Sequence, residues 1–157
     1  MAPDARDTPD AGDISPPDLD TVARECACRR ARMAARKVTR SYDEALRPTG
    51  LKATQFTLLV AVAQGSASSI TRLADFLAME RTTLTRNIQL LERRGLIAVG
   101  PEGARRARKL ALTADGRRAL DGALPYWRKA QESLRANLGE AEWQAAGRGI
   151  EALLDGA

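Results

Sequence analysis

The sequence predicts a mainly α-helical fold that carries one small β-hairpin. Apolar residues recur at helical spacing through most of the chain, and glycine or proline interrupts that spacing at a few points. Two short apolar runs, at 96–99 and 109–112, flank a loop with two glycines, a proline and three arginines, which is typical of a hairpin. The length of 157 residues suits one domain that buries a core without disulfide bonds.

The N-terminal residues 1–17 have almost nothing to bury and are predicted to be a disordered, acidic tail. Residues 1–20 hold six aspartates and one arginine, whereas the rest of the chain holds 24 basic and 14 acidic residues. The net charge of +5 therefore divides into a tail of −5 and a body of +10. A basic body of this kind favours a polyanionic partner.

Two helices are predicted before residue 65. The first begins near Asp18 or Asp20, either of which can cap it, and runs without glycine or proline to Leu46. Its apolar stripe is thin among many arginines. Thr54 is expected to cap the second helix, 55–64, which is apolar nearly all round and is predicted to be a central core element.

A short helix at 71–77, a turn at 78–80 and a longer helix ending at Arg94 follow. On a helical wheel the longer helix places Leu84, Ile88 and Leu91 on one buried face. The opposite face carries Thr82, Arg86, Gln89 and Arg93, flanked by Thr83 and Thr85. Arginine and glutamine can bond guanine and adenine edges, and threonine can meet thymine, so this face can read a major groove. An ordinary solvated helix surface is the alternative.

The order of short helix, turn, longer helix and hairpin predicts a winged helix-turn-helix, whose longer helix enters the groove. Residues 81–109 hold eight basic and two acidic residues. Arginines at the hairpin tip can reach phosphates or a narrow minor groove. Alternatively, they only keep an exposed strand edge soluble.

Beyond the hairpin, Thr113 is expected to cap a long helix to about Asn137 that is kinked at Pro125, and Gly139 separates it from a last helix. The first helix and the two C-terminal helices carry apolar residues that have little to pack on within one small winged domain, so a homodimer is predicted. In the two C-terminal helices these residues are Leu124, Trp127, Leu134, Leu138, Trp143, Ile150 and Leu154, and the two tryptophans are expected to anchor the dimer core. The predicted organisation is a tail at 1–17, a helical dimerisation region at 18–48 and 113–157, and a winged DNA-binding domain at 49–112.

Several function classes are disfavoured by composition. The chain has no histidine and two cysteines, so we predict no catalytic residues, no metal site and no cofactor, and a protein that is not an enzyme. It has no apolar run of membrane-spanning length and no signal-peptide pattern, which indicates a cytoplasmic protein without a membrane partner.

Four motifs in order give a family resemblance from about residue 20 to the C-terminus. They read GLKATQFTLL at 50–59, LADFLAMERTTLTR at 73–86, LERRGLI at 91–97 and LTADG at 112–116. Together they resemble the multiple-antibiotic-resistance regulator (MarR) family. The resemblance implies a homodimeric DNA-binding transcriptional regulator, usually a repressor of a nearby operon that is released by a small ligand or by thiol oxidation. The chain departs from the family pattern at Ala104, where the wing commonly carries aspartate, and at Glu80, where the usual cap is aspartate.

Double-stranded DNA with a pseudopalindromic operator is therefore the expected partner, with half-sites about one helical turn apart. The residues expected to contact it are Arg81, Thr82, Thr83, Thr85, Arg86, Gln89, Arg93, Arg105 and Arg106. A winged-helix module that binds an acidic protein surface is the less favoured alternative.

By the same resemblance, an effector pocket lies between the dimer helices and the winged domain and suits a small aromatic acid or similar amphiphile. Its candidate lining residues are Arg36, Arg40, Tyr42 and Phe56, each of which can equally be a solvated or core residue.

Cys26 and Cys28 lie close to three arginines, which favour thiolate, so a redox-sensing regulator is an alternative function. Positions two apart on a helix point in nearly opposite directions, so a bond between these two would distort it and an intersubunit disulfide is easier. In the other interpretation Cys26 is a small core residue and Cys28 is incidental.

Overall fold

The structure, a computed structural model, describes residues 15–65, 70–100 and 110–156. It confirms the predicted class, a mostly helical chain with a two-stranded antiparallel hairpin. The elements are α1 (Pro16–Glu25), α2 (Ala27–Leu46), a 3-10 turn (Arg47–Thr49), α3 (Ala53–Ala63), α4 (Ile70–Phe76), α5 (Arg81–Arg93), β1 (Ile97–Val99), β2 (Leu110–Leu112), α6 (Ala114–Leu138) and α7 (Glu140–Gly156). The chain divides into two compact units, Met1–Val38 and Thr39–Ala157, and each is described by itself.

In the first unit, the prediction of one uninterrupted first helix is wrong. The backbone leaves the helical region at Cys26, where ψ is 107°, so α1 ends there and α2 begins at Ala27. A side chain replaces the hydrogen bond lost at this break, since the Arg29 guanidinium donates to the Ala23 carbonyl oxygen at 2.6 Å. No residue of α1 is buried.

The start of α1 also differs from the prediction, because the helix begins at Pro16 and neither Asp18 nor Asp20 caps it. Proline is well tolerated in the first turn of a helix, where its missing N–H has no intrahelical partner to lose. The predicted tail therefore ends before Pro16, and residues 1–14 of it lie outside the described residues.

The core of the second unit is built around α3, as predicted. Six of its 11 residues are buried, and Leu58 and Leu59 are fully enclosed. Leucines from the end of α2, from α4 and from α5 pack against them, together with both strands of the hairpin. The fully buried large side chains of this core are Leu46, Leu51, Leu58, Leu59, Leu73, Leu84, Leu91 and Ile97.

The N-terminus of α3 corrects another prediction, since Thr54 is exposed and does not cap the helix. The helix begins two residues earlier than predicted, at Ala53, and the Ala53 N–H donates to Asp43 Oδ1 at 2.7 Å. The Lys52 N–H donates to the side-chain oxygen of Gln55 at 3.1 Å. An acceptor ten residues away in the sequence therefore takes the role expected of the local threonine.

The junction of hairpin and α6 matches the prediction closely. The strands pair antiparallel with Ile97 opposite Leu112, and the Thr113 hydroxyl accepts the Gly116 N–H at 2.9 Å. The same hydroxyl donates to the Gly95 carbonyl at 2.6 Å, which ties the start of α6 to the start of the hairpin. Gly116 lies against this backbone so closely that a Cβ there would come 2.0 Å from the Leu96 carbonyl oxygen.

The C-terminal helices differ in how much they bury. Helix α6 continues through Pro125 and packs on the core: Phe56 and Trp127 stack with ring centroids 6.3 Å apart, so Trp127, expected as a dimer anchor, packs within its own chain. Helix α7 buries no residue, and Ile150, Leu153 and Leu154 are exposed. Among the described residues, no helix is long and apolar enough to cross a membrane.

Candidate nucleic-acid interface

The candidate interface consists of α4, a tight turn and α5. Leu73 and Ala74 bury α4 against the core, and the turn closes with Ala78 N–H on the Asp75 carbonyl at 3.1 Å and Met79 N–H on the Ala74 carbonyl at 2.9 Å. This pair of bonds is a Schellman motif, which places one residue in the left-handed region. That residue is Ala78, with φ +48°, where glycine is usual.

Helix α5 has the two predicted faces. Leu84 and Leu91 are fully buried and Ile88 is 3% exposed, so this side packs on the core. The far side is open to solvent and presents Thr82, Thr83, Arg86, Gln89 and Arg93. Two arginines and a glutamine on one exposed helix face can donate hydrogen bonds to base edges and phosphates.

Two other predicted contact residues of α5 are engaged within the protein. Arg81 Nη2 donates to the hydroxyl of Thr71 on α4 at 2.7 Å, and the half-buried Thr85 donates its hydroxyl to the Arg81 carbonyl at 2.7 Å. Glu80 occupies the N-cap position without a side-chain cap bond, as expected of glutamate there. The first turn of α5 is thus tied to α4 through Arg81.

Strands β1 and β2 carry the hairpin directly after α5. Val99 pairs with Leu110, and α5 ends in a second Schellman motif in which Gly95, with φ +69°, lies in the left-handed region. The predicted tip residues Arg105 and Arg106, and Ala104 beside them, lie outside the described residues.

The four predicted effector residues have different surroundings. Phe56 is 6% exposed and packs in the hydrophobic core, in keeping with the second of its two interpretations. The Tyr42 hydroxyl donates to Gln131 Oε1, and burial raises the pKa of that phenol. Arg40 lines a cavity of about 420 Å³ with Arg47 and Lys52, and Arg36 is exposed on the part of α2 that belongs to the first unit.

A larger cavity, of about 530 Å³, lies behind α5 and was not predicted. Its lining residues are Thr39, Asp43, Lys52, Ala53, Thr54, Gln55, Thr57, Leu77, Met79, Thr83 and Asn87. Asp43 and Lys52 form an ion pair at 3.5 Å beside it. The helical wheel of α5 could have indicated Asn87, which borders the buried face, but the contributions of α2 and α3 depend on tertiary packing.

The two cysteines are free, with Cys26 half-buried and Cys28 exposed. Cys26 lies in the break between α1 and α2, so the two cysteines are not on one continuous helix. In residues 15–65, 70–100 and 110–156, no group of three or more cysteine, aspartate or glutamate side chains is placed to hold a metal ion.

A helix-turn-helix with an exposed basic face, followed directly by a hairpin, defines a winged-helix DNA-binding protein. The MarR family model matches residues 49–107. The transcriptional regulator MosR of M. tuberculosis is 39% identical with a TM-score of 0.75 over 85% of this chain and 96% of that one. The chain belongs to the MarR family of DNA-binding transcriptional regulators.

Two further solved structures are similar. MosR in complex with DNA is 43% identical, with a TM-score of 0.72 over 82% of this chain and 93% of that one. Bordetella bronchiseptica BpsR, whose DNA binding is regulated by 6-hydroxynicotinic acid, is 25% identical, with a TM-score of 0.72 over the same shares, 82% and 93%. No curated protein sequence matches the chain significantly.

Proposed function

We propose that the protein is a homodimeric, sequence-specific regulator that represses transcription and is released from its operator by a small molecule. The observation that carries this proposal is the exposed face of α5, where Arg86, Gln89 and Arg93 point away from a face that buries Leu84 and Leu91 completely. The DNA complex of MosR supports a duplex as the partner.

Within this interface we assign different roles to different residues. Arg86 and Gln89 lie near the middle of the exposed face and are the candidates for base reading, because both side chains can form paired hydrogen bonds to a base edge. Arg81, which is held on Thr71, and the hairpin residues Arg105 and Arg106 are assigned to phosphates or the minor groove. Thr82, Thr83, Thr85 and Arg93 complete the proposed contact set.

Binding to a duplex selected from a random pool tests the assignment. Arg86→Ala is expected to lower affinity by about 1–3 kcal/mol and to relax preference at one base pair. Arg106→Ala is expected to weaken binding to all sequences and to reduce the salt dependence by about one ion. If Arg86→Ala instead weakens binding to all sequences equally, Arg86 contacts phosphates and does not read a base. A wild-type protein that shifts no duplex at low salt would instead favour the protein-interaction module.

The dimer is proposed from apolar surface that the chain leaves uncovered. Ile150, Leu153 and Leu154 on α7 are between 53% and 71% exposed, and α1 exposes Leu19 and Val22. We assign residues 18–48 and 113–157 to dimerisation and 49–112 to DNA binding, as a two-fold dimer would place two copies of α5 about 34 Å apart. Sedimentation of the free protein tests this, and a monomer at micromolar concentration would contradict it.

For the effector we propose the cavity of about 530 Å³ behind α5, whose volume is within the range of small-molecule sites. Leu77 and Met79 offer apolar contacts, and Lys52 offers a cation to a carboxylate, so a small aromatic acid remains the proposed ligand class. Because Thr83 belongs both to this cavity and to the proposed DNA face, a ligand here would act directly on α5. The regulation of BpsR by 6-hydroxynicotinic acid supports an aromatic acid as the ligand class.

A thermal-shift screen with aromatic acids tests the site. A hit should raise the melting temperature of the wild-type protein, weaken its DNA binding and lose both effects in Asn87→Leu, which fills the cavity from α5. A hit that acts equally on Asn87→Leu would place the effector elsewhere. Arg36→Ala, at a residue that the sequence predicted for the effector pocket, is the control. Its melting temperature and DNA binding are expected to respond to the ligand as those of the wild type do.

A second candidate, thiol-based regulation, is favoured by the break at Cys26. A peroxide would oxidise one thiolate to a sulfenic acid and be reduced to water or hydroxide, and the second thiol would displace the sulfenic oxygen as water to leave a disulfide. The bond can join Cys26 and Cys28 of one chain, or two chains. DNA affinity before and after mild peroxide, in the wild type and in Cys28→Ser, tests this. Unchanged affinity after complete loss of free thiols would exclude it.

A further inference from the structure

The first turn of α3 is a meeting point for three helices. Gln55 is 8% exposed, and it is the buried polar side chain among the residues that the structure describes. Its Oε1 accepts the Lys52 N–H at 3.1 Å and Arg94 Nη1 at 3.3 Å. Arg94 Nη1 also donates to the Gly50 carbonyl at 3.1 Å. The Arg94 guanidinium, at the end of α5, therefore bonds both to Gly50, before α3 begins, and to Gln55, in the first turn of α3.

The same turn is also fixed from α2. Asp43 Oδ1 accepts the Ala53 N–H at 2.7 Å, and Asp43 Oδ2 pairs with Lys52 Nζ at 3.5 Å. Hydrogen bonds that involve a charged group are shorter and stronger than neutral ones. Arg94 is exposed overall, so its contribution is this set of bonds rather than burial of apolar surface.

We infer that Arg94 is a positioning residue that, through Gln55 and Gly50, sets the tilt of α5 and thereby determines which spacing between operator half-sites is accepted. The inference rests on the proposed dimeric DNA binding. Helix α5 spans 13 residues, so its ends lie about 18 Å apart. A tilt of about 5° at Arg94 would move the other end by about 1.6 Å.

The two-fold symmetry of a dimer doubles this displacement. The N-terminal ends of the two copies of α5 would move by up to about 3 Å relative to each other, and the positions nearer Arg94 by less; one base pair rises by about 3.4 Å. A small change at Arg94 is therefore enough to alter the preferred spacing without any change in the bases that each half-site presents.

The test measures affinity for duplexes derived from a sequence that the wild-type protein selects, with one base pair inserted or deleted between the half-sites. We expect Arg94→Leu to reduce the preference for the selected spacing by about fivefold, or to move the optimum by one base pair, with the salt dependence unchanged. Arg94→Lys, which can reach one of the two acceptors, is expected to recover part of the preference. Gln55→Met is expected to act in the same direction as Arg94→Leu.

Arg93→Leu is the matched comparison, because Arg93 is the preceding arginine but lies on the exposed DNA face. It is expected to weaken all spacings equally and to reduce the salt dependence. The same behaviour in Arg94→Leu would make Arg94 a phosphate contact and overturn the inference, as would an unchanged spacing profile. If Arg94→Leu does not fold, Arg94→Lys and Gln55→Met carry the test. A wild-type protein that selects no two-part sequence would refute the proposed function itself.

Discussion

Helices α3 and α7 are both rich in apolar residues, but the chain treats them in opposite ways. Helix α3 buries six of its 11 residues inside the winged part of the chain, whereas α7 buries none of its 17. Most of the stability of a helix in a protein comes from packing of its apolar face. The contrast shows that α3 is enclosed by a core to which α2, α5, the hairpin and α6 contribute, whereas the apolar side chains of the last helix are left exposed.

The largest expected effect comes from removing a buried side chain of α3. Leu59→Ala, at a fully buried position in α3, is expected to lower the free energy of unfolding by about 4 kcal/mol. Leu154→Ala, at a position 71% exposed in α7, should change the stability of the separated chain by less than about 0.5 kcal/mol. Urea unfolding at low protein concentration measures both. A loss of several kcal/mol in Leu154→Ala under monomeric conditions would contradict the comparison.

Gly116 gives a second measure, of how tightly α6 packs on the hairpin. A Cβ at this position would lie 2.0 Å from the Leu96 carbonyl oxygen, so Gly116→Ala must push α6 away from the hairpin and is expected to cost about 3 kcal/mol. Gly122 on the same helix has open space around it, so Gly122→Ala should stabilise by about 0.5–1 kcal/mol. Two variants of equal stability would show that α6 is not docked on Leu96.

Sequence reasoning succeeded where structure is set by residues close in the chain. The strands at 97–99 and 110–112, the Thr113 cap and the buried face of α5 each follow from periodicity or from a cap within one turn. The exposed side of α5, and with it much of the candidate DNA interface, follows from the same wheel. These signals involve separations of two to seven residues, which a single sequence displays directly.

It failed at one local feature and wherever a distant side chain decides the outcome. The local feature is the break at Cys26, which no glycine or proline indicates and which the Arg29 guanidinium spans by its bond to the Ala23 carbonyl. Thr54 was a plausible cap, but Asp43 on α2 accepts the N–H instead. The cavity behind α5 and the Arg94 bonds to Gly50 and Gln55 likewise require α2, α3 and α5 to be packed first.

The two Schellman motifs around α5 sharpen the comparison within the winged part. Both place a residue in the left-handed region, Ala78 with φ +48° before the helix and Gly95 with φ +69° after it. A non-glycine residue pays about 1 kcal/mol in this conformation, so Ala78→Gly is expected to stabilise the fold by about that amount. Gly95→Ala should destabilise it by a similar amount. Thermal unfolding measures both, and a destabilised Ala78→Gly would indicate that this turn is not held in the left-handed region.

The smallest expected effect lies at the junction that carries α7. Arg135 at the end of α6 donates two hydrogen bonds to Glu140, from Nε at 2.6 Å and from Nη2 at 2.8 Å, and Gln144 adds a third at 3.0 Å. The hydrogen bonds from Arg135, and next the one from Gln144, lower the pKa of the Glu140 carboxyl from its usual 4.5. Unlike the core around α3, this junction is held by an exposed charge pair.

Because the folded chain has the lower pKa, the stabilisation by Glu140 is complete above pH 4.5 and is lost as the pH falls through the lowered value. The melting temperature of the wild type should therefore exceed that of Glu140→Gln at pH 7, and the difference should shrink below pH 4.5 and with added salt. Glu142→Gln, an exposed position on the same turn, is the control and should show no such difference. A constant gap between wild type and Glu140→Gln down to pH 3 would mean that the ionised Glu140 carboxylate does not hold the junction between α6 and α7.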